Sequence, residues 1–388
     1  MLLPLLFFMI CLGLTLYVYV GYPVALWLLT TYGRKRPVPV GIPDFPTVSL
    51  IIAAHNEAEV IEQKLENTLA QTYPKDRLEI IVASDASDDG TDDIVRGYAD
   101  RGVRLFRAPI RQGKTGTITS AAVTTTGEIL LFSDAHALYA PDAIEKMTLP
   151  FSDATIGGVS GRLNYENVRR TAMSEGEHLY WSYENQIKVW ESAFNSLIGA
   201  NGSLYALRRE AFVPLDSDVS DDFGLPLAAY GRGYRVIFQP LAVSREEAPE
   251  TISLEFQKKR RFVAHQLTTL ARLWPTLRPF SDRKLLFQLV SHKLLRNSVP
   301  FFLLGMFVSS LAMPSFGWLL IVLQLAFYDL ALIGLGFYRL GSPVRLFATP
   351  LYFCTVNLAA AFGVLDFLTR RNYATWNERK VRQPTLST

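Results

Sequence analysis

Cysteine is nearly absent from this chain: among 388 residues only Cys11 and Cys354 occur. Each lies in an apolar run with no second Cys or His at ligand spacing, which excludes a disulfide framework and a cysteine-based zinc site. An excess of one charge is missing as well. With 39 Lys and Arg against 36 Asp and Glu, the net charge of +3 is too small for a phosphate-backbone binder, so nucleic acid is set aside as a partner. A further absence is local. No charged residue occurs in the first 30 positions, and long apolar runs return only after about position 298. The two ends suit lipid and the middle suits water.

The N-terminal run is too long for a signal peptide, lacks a basic n-region, and ends at Gly33-Arg34-Lys35-Arg36 without a small-residue cleavage site. Residues 1–32 therefore read as a retained span, and the basic cluster after it stays cytosolic by the positive-inside rule. The N-terminus is then outside and the next domain inside. Stretches 298–313, 316–338 and 347–368 are the C-terminal candidates. The first is short enough to lie in the interface or re-enter. Arg370, Arg371, Arg379, Lys380 and Arg382 favour a cytosolic C-terminus. Residues 253–273 mix Leu254, Phe262, Val263, Leu267, Leu270 and Leu273 with the basic run Lys258 to Arg261, as a helix on a membrane surface would.

Between the apolar ends, short apolar runs alternate with helical patterns. Strands are expected at 48–53, 78–83, 103–106 and 129–133, and helices at 57–69, 91–98 and 116–126. Such alternation predicts an α/β fold with a mainly parallel sheet, whose ligands bind beyond the carboxyl ends of the strands. Polar residues gather there: Ala54-His55-Asn56-Glu57 after the first strand, Ser84-Asp85 after the second, Asp134-Ala135-His136 after the fourth. Asp88, Asp89 and Gly90 read as a turn and helix cap. Asp85 and Asp134, at the ends of two buried strands, read as functional. Lys114, flanked by Gly113 and Gly116 at a loop-to-helix junction, suits a phosphate contact, although the Walker A spacing is absent.

Five stretches carry a resemblance: Val48-Ser49-Leu50-Ile51-Ile52-Ala53-Ala54-His55-Asn56-Glu57, Gln71-Thr72-Tyr73-Pro74, Ile81-Val82-Ala83-Ser84-Asp85-Ala86-Ser87-Asp88-Asp89-Gly90-Thr91, Gly113-Lys114 and Phe132-Ser133-Asp134-Ala135. In order and spacing they resemble the family 2 inverting glycosyltransferases, with membrane segments like those of poly-N-acetylglucosamine, hyaluronan and chitin-oligosaccharide synthases. The resemblance implies a GT-A fold. In it Glu57 and Asp85 contact the nucleoside of a UDP-sugar, backbone from Ala53 to His55 lines the pocket, Lys114 approaches the nucleotide and Asp134 serves Mg²⁺ or Mn²⁺. His136 stands where the second carboxylate of a DxD motif belongs, so either it ligates the metal, with a shift towards Mn²⁺, or it is only a neighbour. Ser220-Asp221-Asp222 matches the general-base motif, with Asp222 as base and Asp221 beside it, and the alternative for these acids is a helix N-cap. Asn201 and Gly202 match the acceptor-side loop. Gln257 and Arg260 match an interfacial Gln-x-x-Arg-Trp motif in which Arg261 replaces the tryptophan, a departure that suits a phosphate or diphosphate better than a sugar face. Trp376 resembles a Trp element after the last span, or anchors the membrane interface.

These readings divide the chain into a span (1–32), a GT-A domain (44–250), interface helices (251–297), C-terminal spans (298–369) and a tail (370–388). The expected protein is a multi-pass enzyme of an inner or plasma membrane with a cytosolic catalytic domain. It would pass one sugar from a UDP-sugar to a lipid-linked or saccharide acceptor in surface-glycan assembly. A processive polysaccharide synthase is the alternative. A transporter with a nucleotide-binding domain is the remote one, since Asp329 and Asp366 are the only carboxylates in the spans. The sequence carries no sign of an oligomeric state.

Overall fold

The computed structural model describes residues 2–33, 45–166, 172–247, 251–277, 282–314, 316–341 and 344–371. Strands β1 (Val48–Ala54), β2 (Leu78–Ser84), β3 (Val103–Arg107), β4 (Ile129–Asp134), β5 (Leu138–Tyr139), β6 (Ile156–Glu166), β7 (Tyr205–Arg208) and β8 (Arg235–Glu247) form one sheet. Their order is β3-β2-β1-β4-β7-β6-β8-β5. The four strands expected from sequence are present, each one residue longer, and all four run parallel. Every residue of β1 is buried, because helices cover both faces of this half. Leu50 and Ile52 face the core that includes Ile61 and Leu65, while Ile51 and Ala53 face the core that includes Ile118 and Phe132.

Two helices start away from their expected positions. The first begins at Ile61, since the Glu57 carbonyl accepts the N–H groups of Val60 and Ile61 in a turn. The other spans Gly113–Ala122, three residues early, because the Asp85 carboxylate accepts the N–H groups of Gln112 and Gly113. It stops at Ala122, where Thr124 and Thr125 hydroxyls donate to the carbonyls of Ala121 and Ala122.

Beyond β4 the sheet is mixed and departs from the mainly parallel expectation. β7 runs antiparallel to β4 and β6, β8 runs parallel to β6, and β5 runs antiparallel to β8. The chain between β6 and β7 makes no crossover of the kind that forces parallel pairing. Its long helix Ala172–Phe194 packs Ile187 against Tyr22 and Leu26 of the N-terminal apolar helix.

Four helices are long and apolar enough to cross a membrane: Leu2–Tyr32, Arg283–Leu311, Gly317–Arg339 and Leu346–Leu368. The second explains why 298–313 looked short. It is the continuation of a helix that starts at Arg283 and runs through position 297, its first part polar enough to escape a hydropathy reading. The first two helices each contain a π turn, Tyr17–Gly21 and Leu289–Leu294, and these meet: Tyr17 Oη lies 2.8 Å from Ser291 Oγ. The basic amphipathic helix spans Ile252–Leu277. Its Leu270 and Leu277 share a core with Phe223 and Leu227, and its Arg260 pairs through two nitrogens with Asp366 of the last apolar helix. Gly363 permits that approach, since a Cβ there would stand 2.6 Å from the Arg260 carbonyl oxygen.

Candidate active site

The parallel register brings the ends of β1, β2 and β4 to one edge, with Ala53 beside both Ala83 and Asp134. Asp85, the residue after β2, is 1% exposed. One of its oxygens accepts Gln112 N–H at 2.6 Å and Thr117 Oγ1–H at 2.9 Å, and the other accepts Gly113 N–H at 3.0 Å. Gly113 has φ +79°, which glycine adopts without strain. Asp85 thus anchors the turn that presents Lys114, and no oxygen of it is left without a donor. His55 lies at the same edge, its Nδ1 2.8 Å from the Asp85 carbonyl oxygen. Asp89 closes the turn before the following helix by accepting Thr91 N–H, while Gly90 is the N-cap residue.

Lys114 sits among three carboxylates. Its Nζ is 2.6 Å from Asp134 Oδ1 and 3.5 Å from Asp221 Oδ2. Burial alone would lower its pKa, but the charges of Asp134, Asp221 and Asp222 hold it well above the ordinary lysine range. Gly202 is at the centre of this group. A Cβ there would meet Asp222 Oδ2 and Lys114 Nζ at 3.4 Å and Asp134 Oδ2 at 3.7 Å, so a glycine keeps the space between them open. Beside it, Asn201 is 5% exposed and its Nδ2 has no hydrogen-bond partner.

The two adjacent acids are distinct. Asp221 is 5% exposed and accepts the Tyr205 hydroxyl at 2.6 Å in addition to facing Lys114. Asp222 is partly exposed and accepts a short hydrogen bond from Ser220 Oγ. Burial first, then the neighbouring Asp221, push the Asp222 carboxyl up to about 6, against the pull of Lys114. Ser220 is the N-cap residue of helix Asp221–Gly231, yet its side chain makes no capping bond.

A second carboxylate near Asp134 escaped the sequence reading. Asp134, His136 and Glu246 offer ligand atoms that all lie within 4.8 Å of one another. Glu246, on β8, is 8% exposed, and its Oε2 lies 3.6 Å from His136 Nε2 while its Oε1 has no partner. Burial opposes a charge on His136, but the Glu246 hydrogen bond and charge, with Asp134 and Glu57 behind them, raise its pKa to about 9. An imidazole with two carboxylates is a donor set that suits Mn²⁺, and the orphaned Glu246 oxygen is an acceptor for such an ion. Below the group lies Lys64, fully buried, donating to the Ala137 carbonyl at 2.5 Å and 3.5 Å from the Tyr139 ring centre. Burial draws its pKa down to about 7 despite Asp134 and Glu246. Lys64 lies within the helix expected at 57–69, and no motif in the sequence marked it.

The interfacial residues are placed differently from expectation. Arg260 is committed to Asp366, and exposed Gln257 bonds Ser253 on its own helix at 3.3 Å. Arg261 is half-buried on the same helix. Trp376 lies outside the described residues.

Residues 49–214 match the model described as Glycosyl transferase family 2. They form a glycosyl transferase family 2 domain. The matched stretch includes the acids at the ends of β2 and β4 and the Lys114 turn. Among curated proteins, the chain is 28% identical over 232 residues to the probable glycosyltransferase YdaM of Bacillus subtilis, covering 56% of this chain and 55% of that one. It is 23% identical over 237 residues to the poly-beta-1,6-N-acetyl-D-glucosamine synthase of Staphylococcus aureus, covering 60% of this chain and 57% of that one. The chain thus spans little more than half the length of these relatives. Among solved structures it resembles the mannosyltransferase PcManGT of Pyrobaculum calidifontis, in complex with GDP-Man and Mn²⁺. That match has a TM-score of 0.70 and 25% identity, and covers 94% of this chain and all of that one. The sheet and its flanking helices are the GT-A fold, and residues 49–214 within it are a family 2 glycosyltransferase domain similar to that of a poly-beta-1,6-N-acetyl-D-glucosamine synthase.

Proposed function

We propose that this enzyme transfers a sugar, with inversion, from a nucleoside-diphosphate sugar to an acceptor presented at the membrane face of its catalytic domain, with Asp222 as general base. The convergence of Asp222, Lys114 and Asp134 around the open position at Gly202 carries this reading. The acceptor hydroxyl oxygen attacks the anomeric carbon and its proton passes to Asp222. The bond to the nucleotide diphosphate breaks, with its electron pair leaving on the diphosphate. Lys114 offsets the charge that builds there, and Asp221, held by Tyr205, keeps Lys114 in place. A divalent cation held by Asp134, His136 and Glu246 would supply the remaining neutralisation. His55, Glu57 and backbone near Ala53 line the nucleoside end, and Asp85 acts there through the turn it anchors. Asn201, with its unpartnered amide, faces the acceptor.

The motif resemblance points to a UDP-sugar, whereas PcManGT is solved with GDP-Man. The orientation proposed is catalytic domain in the cytosol, from the Arg34 to Arg36 cluster. Arg261 in the place of a stacking aromatic favours a single transfer over processive synthesis. The test is release of nucleoside diphosphate by purified protein from UDP- and GDP-sugars, with Mn²⁺ and then Mg²⁺, together with product length. A discrete lipid-extractable product is expected. A ladder of polymer would establish the processive alternative, and no release from any sugar nucleotide would refute the enzyme reading.

A further inference from the structure

On the membrane side of Asp222 the chain buries more positive charge than it neutralises. Helix Ala172–Phe194 carries Glu184, Lys188 and Glu191 on one face, four and three residues apart. Facing them from Arg283–Leu311 are His292, Lys293 and Arg296. The two carboxylates are taken. Glu184 pairs with Arg296 and lies 3.4 Å from His292 Nε2. Glu191 accepts the Tyr22 hydroxyl at 2.6 Å and lies 2.8 Å from His292 Nδ1. Among the described residues, neither Lys188 nor Lys293 has an acid within ion-pair distance or a hydrogen-bond partner.

Their contacts are aromatic. Lys188 Nζ lies 5.2 Å from the Trp181 ring centre and 5.8 Å from that of Phe238, and Lys293 Nζ lies 5.6 Å from that of Phe223. These rings lead back to the reacting centre. Phe223 follows Asp222, and Phe238 pairs with Ser160, whose hydroxyl accepts Asn201 N–H at 3.0 Å. The charges of Glu184, Glu191 and Asp222 all act on both lysines, with none of the three close enough to pair. Lys188 is 8% exposed and Lys293 half-buried, and holding an ammonium away from water without a paired carboxylate is costly. An anion between them removes that cost.

Its source follows from the elements involved. The donor diphosphate meets Lys114 at Gly202, on the strand-end side. Lys188 and Lys293 belong to helices that pack on the first apolar helix, where the two π turns meet. An anion reaching them comes from the bilayer. We propose that Lys188 and Lys293 hold the phosphate or diphosphate of a lipid-carried acceptor and so set its attacking end against Asp222. Lysines suit this as mobile point charges. The acceptor role rests on the glycosyltransferase reading, whereas the binding does not.

Equilibrium binding of radiolabelled farnesyl phosphate to the full chain in nanodiscs tests this, with farnesol and inorganic phosphate as controls for tail and head. Wild type is expected to bind farnesyl phosphate about tenfold tighter than either control. K188Q and K293Q should each weaken it about tenfold while a fluorescent nucleotide diphosphate still binds, and K188R should restore it. Unchanged binding in both neutral variants, or farnesol binding as tightly, overturns the proposal. Inorganic phosphate binding as tightly overturns the lipid source. If the neutral variants also lose nucleotide, salt decides: affinity for farnesyl phosphate that falls with ionic strength in wild type, with none of that fall for farnesol, supports the pair, and salt-independent affinity overturns it. Lysine-dependent binding without turnover of any sugar nucleotide would leave this site standing and refute the glycosyltransferase reading. Turnover with lysine-independent binding would do the reverse.

Discussion

The two sides of the Gly202 opening are charged in opposite ways. On the strand-end side Asp134, Asp221 and Asp222 crowd around Lys114, and an oxygen of Glu246, beside Asp134 and His136, is left without a donor. On the membrane side Glu184 and Glu191 are satisfied by Arg296, His292 and Tyr22, and two lysines remain over. Excess carboxylate is what a cation completes, and excess ammonium is what an anion completes. The contrast separates a donor half that calls for metal from an acceptor half that calls for phosphate, with Asp222 between them.

The largest expected effect falls on the dividing residue. Asp222→Asn should lower turnover by roughly 10² to 10⁴-fold while nucleotide binding persists, the range for loss of a general base. In wild type, kcat/KM should fall as pH falls through about 6, because burial and Asp221 raise the Asp222 carboxyl and the protonated form cannot accept a proton. Loss near the ordinary carboxylate range, or near-normal turnover in the variant, would move the base elsewhere. Next comes the donor half. Glu246→Gln should raise the Mn²⁺ concentration needed for half-maximal nucleotide release by about tenfold or more. An unchanged metal requirement would reduce Glu246 to a partner of His136. The smallest effect concerns Asp85. Asp85→Asn should destabilise the protein by about 1–3 kcal/mol through unpaired buried donors, seen as a lower Tm, with donor KM little changed. A raised donor KM at unchanged Tm would return Asp85 to the nucleoside.

The placement of Asp85, Asp134 and Lys114 at the sheet edge was legible in the sequence because each follows from a local pattern. A run such as Val48 to Ala54 is apolar enough to be a strand buried on both faces, and a polar residue directly after it must stand at the sheet edge. Asp85, Asp134 and Lys114 were found that way. The groups that the sequence left unmarked are brought together from far-separated segments, so no local pattern announces them. Glu246 lies one residue before the end of β8, within Arg245-Glu246-Glu247, which reads as a solvated strand terminus until the β5 pairing brings it to His136. Lys188 and Lys293 lie in helices whose partners are each other. Arg260 matched a motif, yet its guanidinium is spent on Asp366, a pairing between residues 106 positions apart that spacing cannot reveal.

The Arg260 and Asp366 contact has a mechanical consequence. Helix Ile252–Leu277 is a rod of 26 residues, about 39 Å long at the usual rise. Near its first end it is clamped to the last apolar helix by Asp366 and the close fit at Gly363. Further along, the Thr269 hydroxyl accepts Ser220 N–H at 2.8 Å, and Leu270 packs with Phe223, the residues on either side of the acid pair. The turn carrying Asp222 is therefore braced against the apolar helices by a stiff member, which, if those helices cross a bilayer and Asp222 is the base proposed above, fixes the height of that base above the lipid. For a substrate whose tail is anchored in that lipid, height is the one coordinate that diffusion in the membrane plane cannot search.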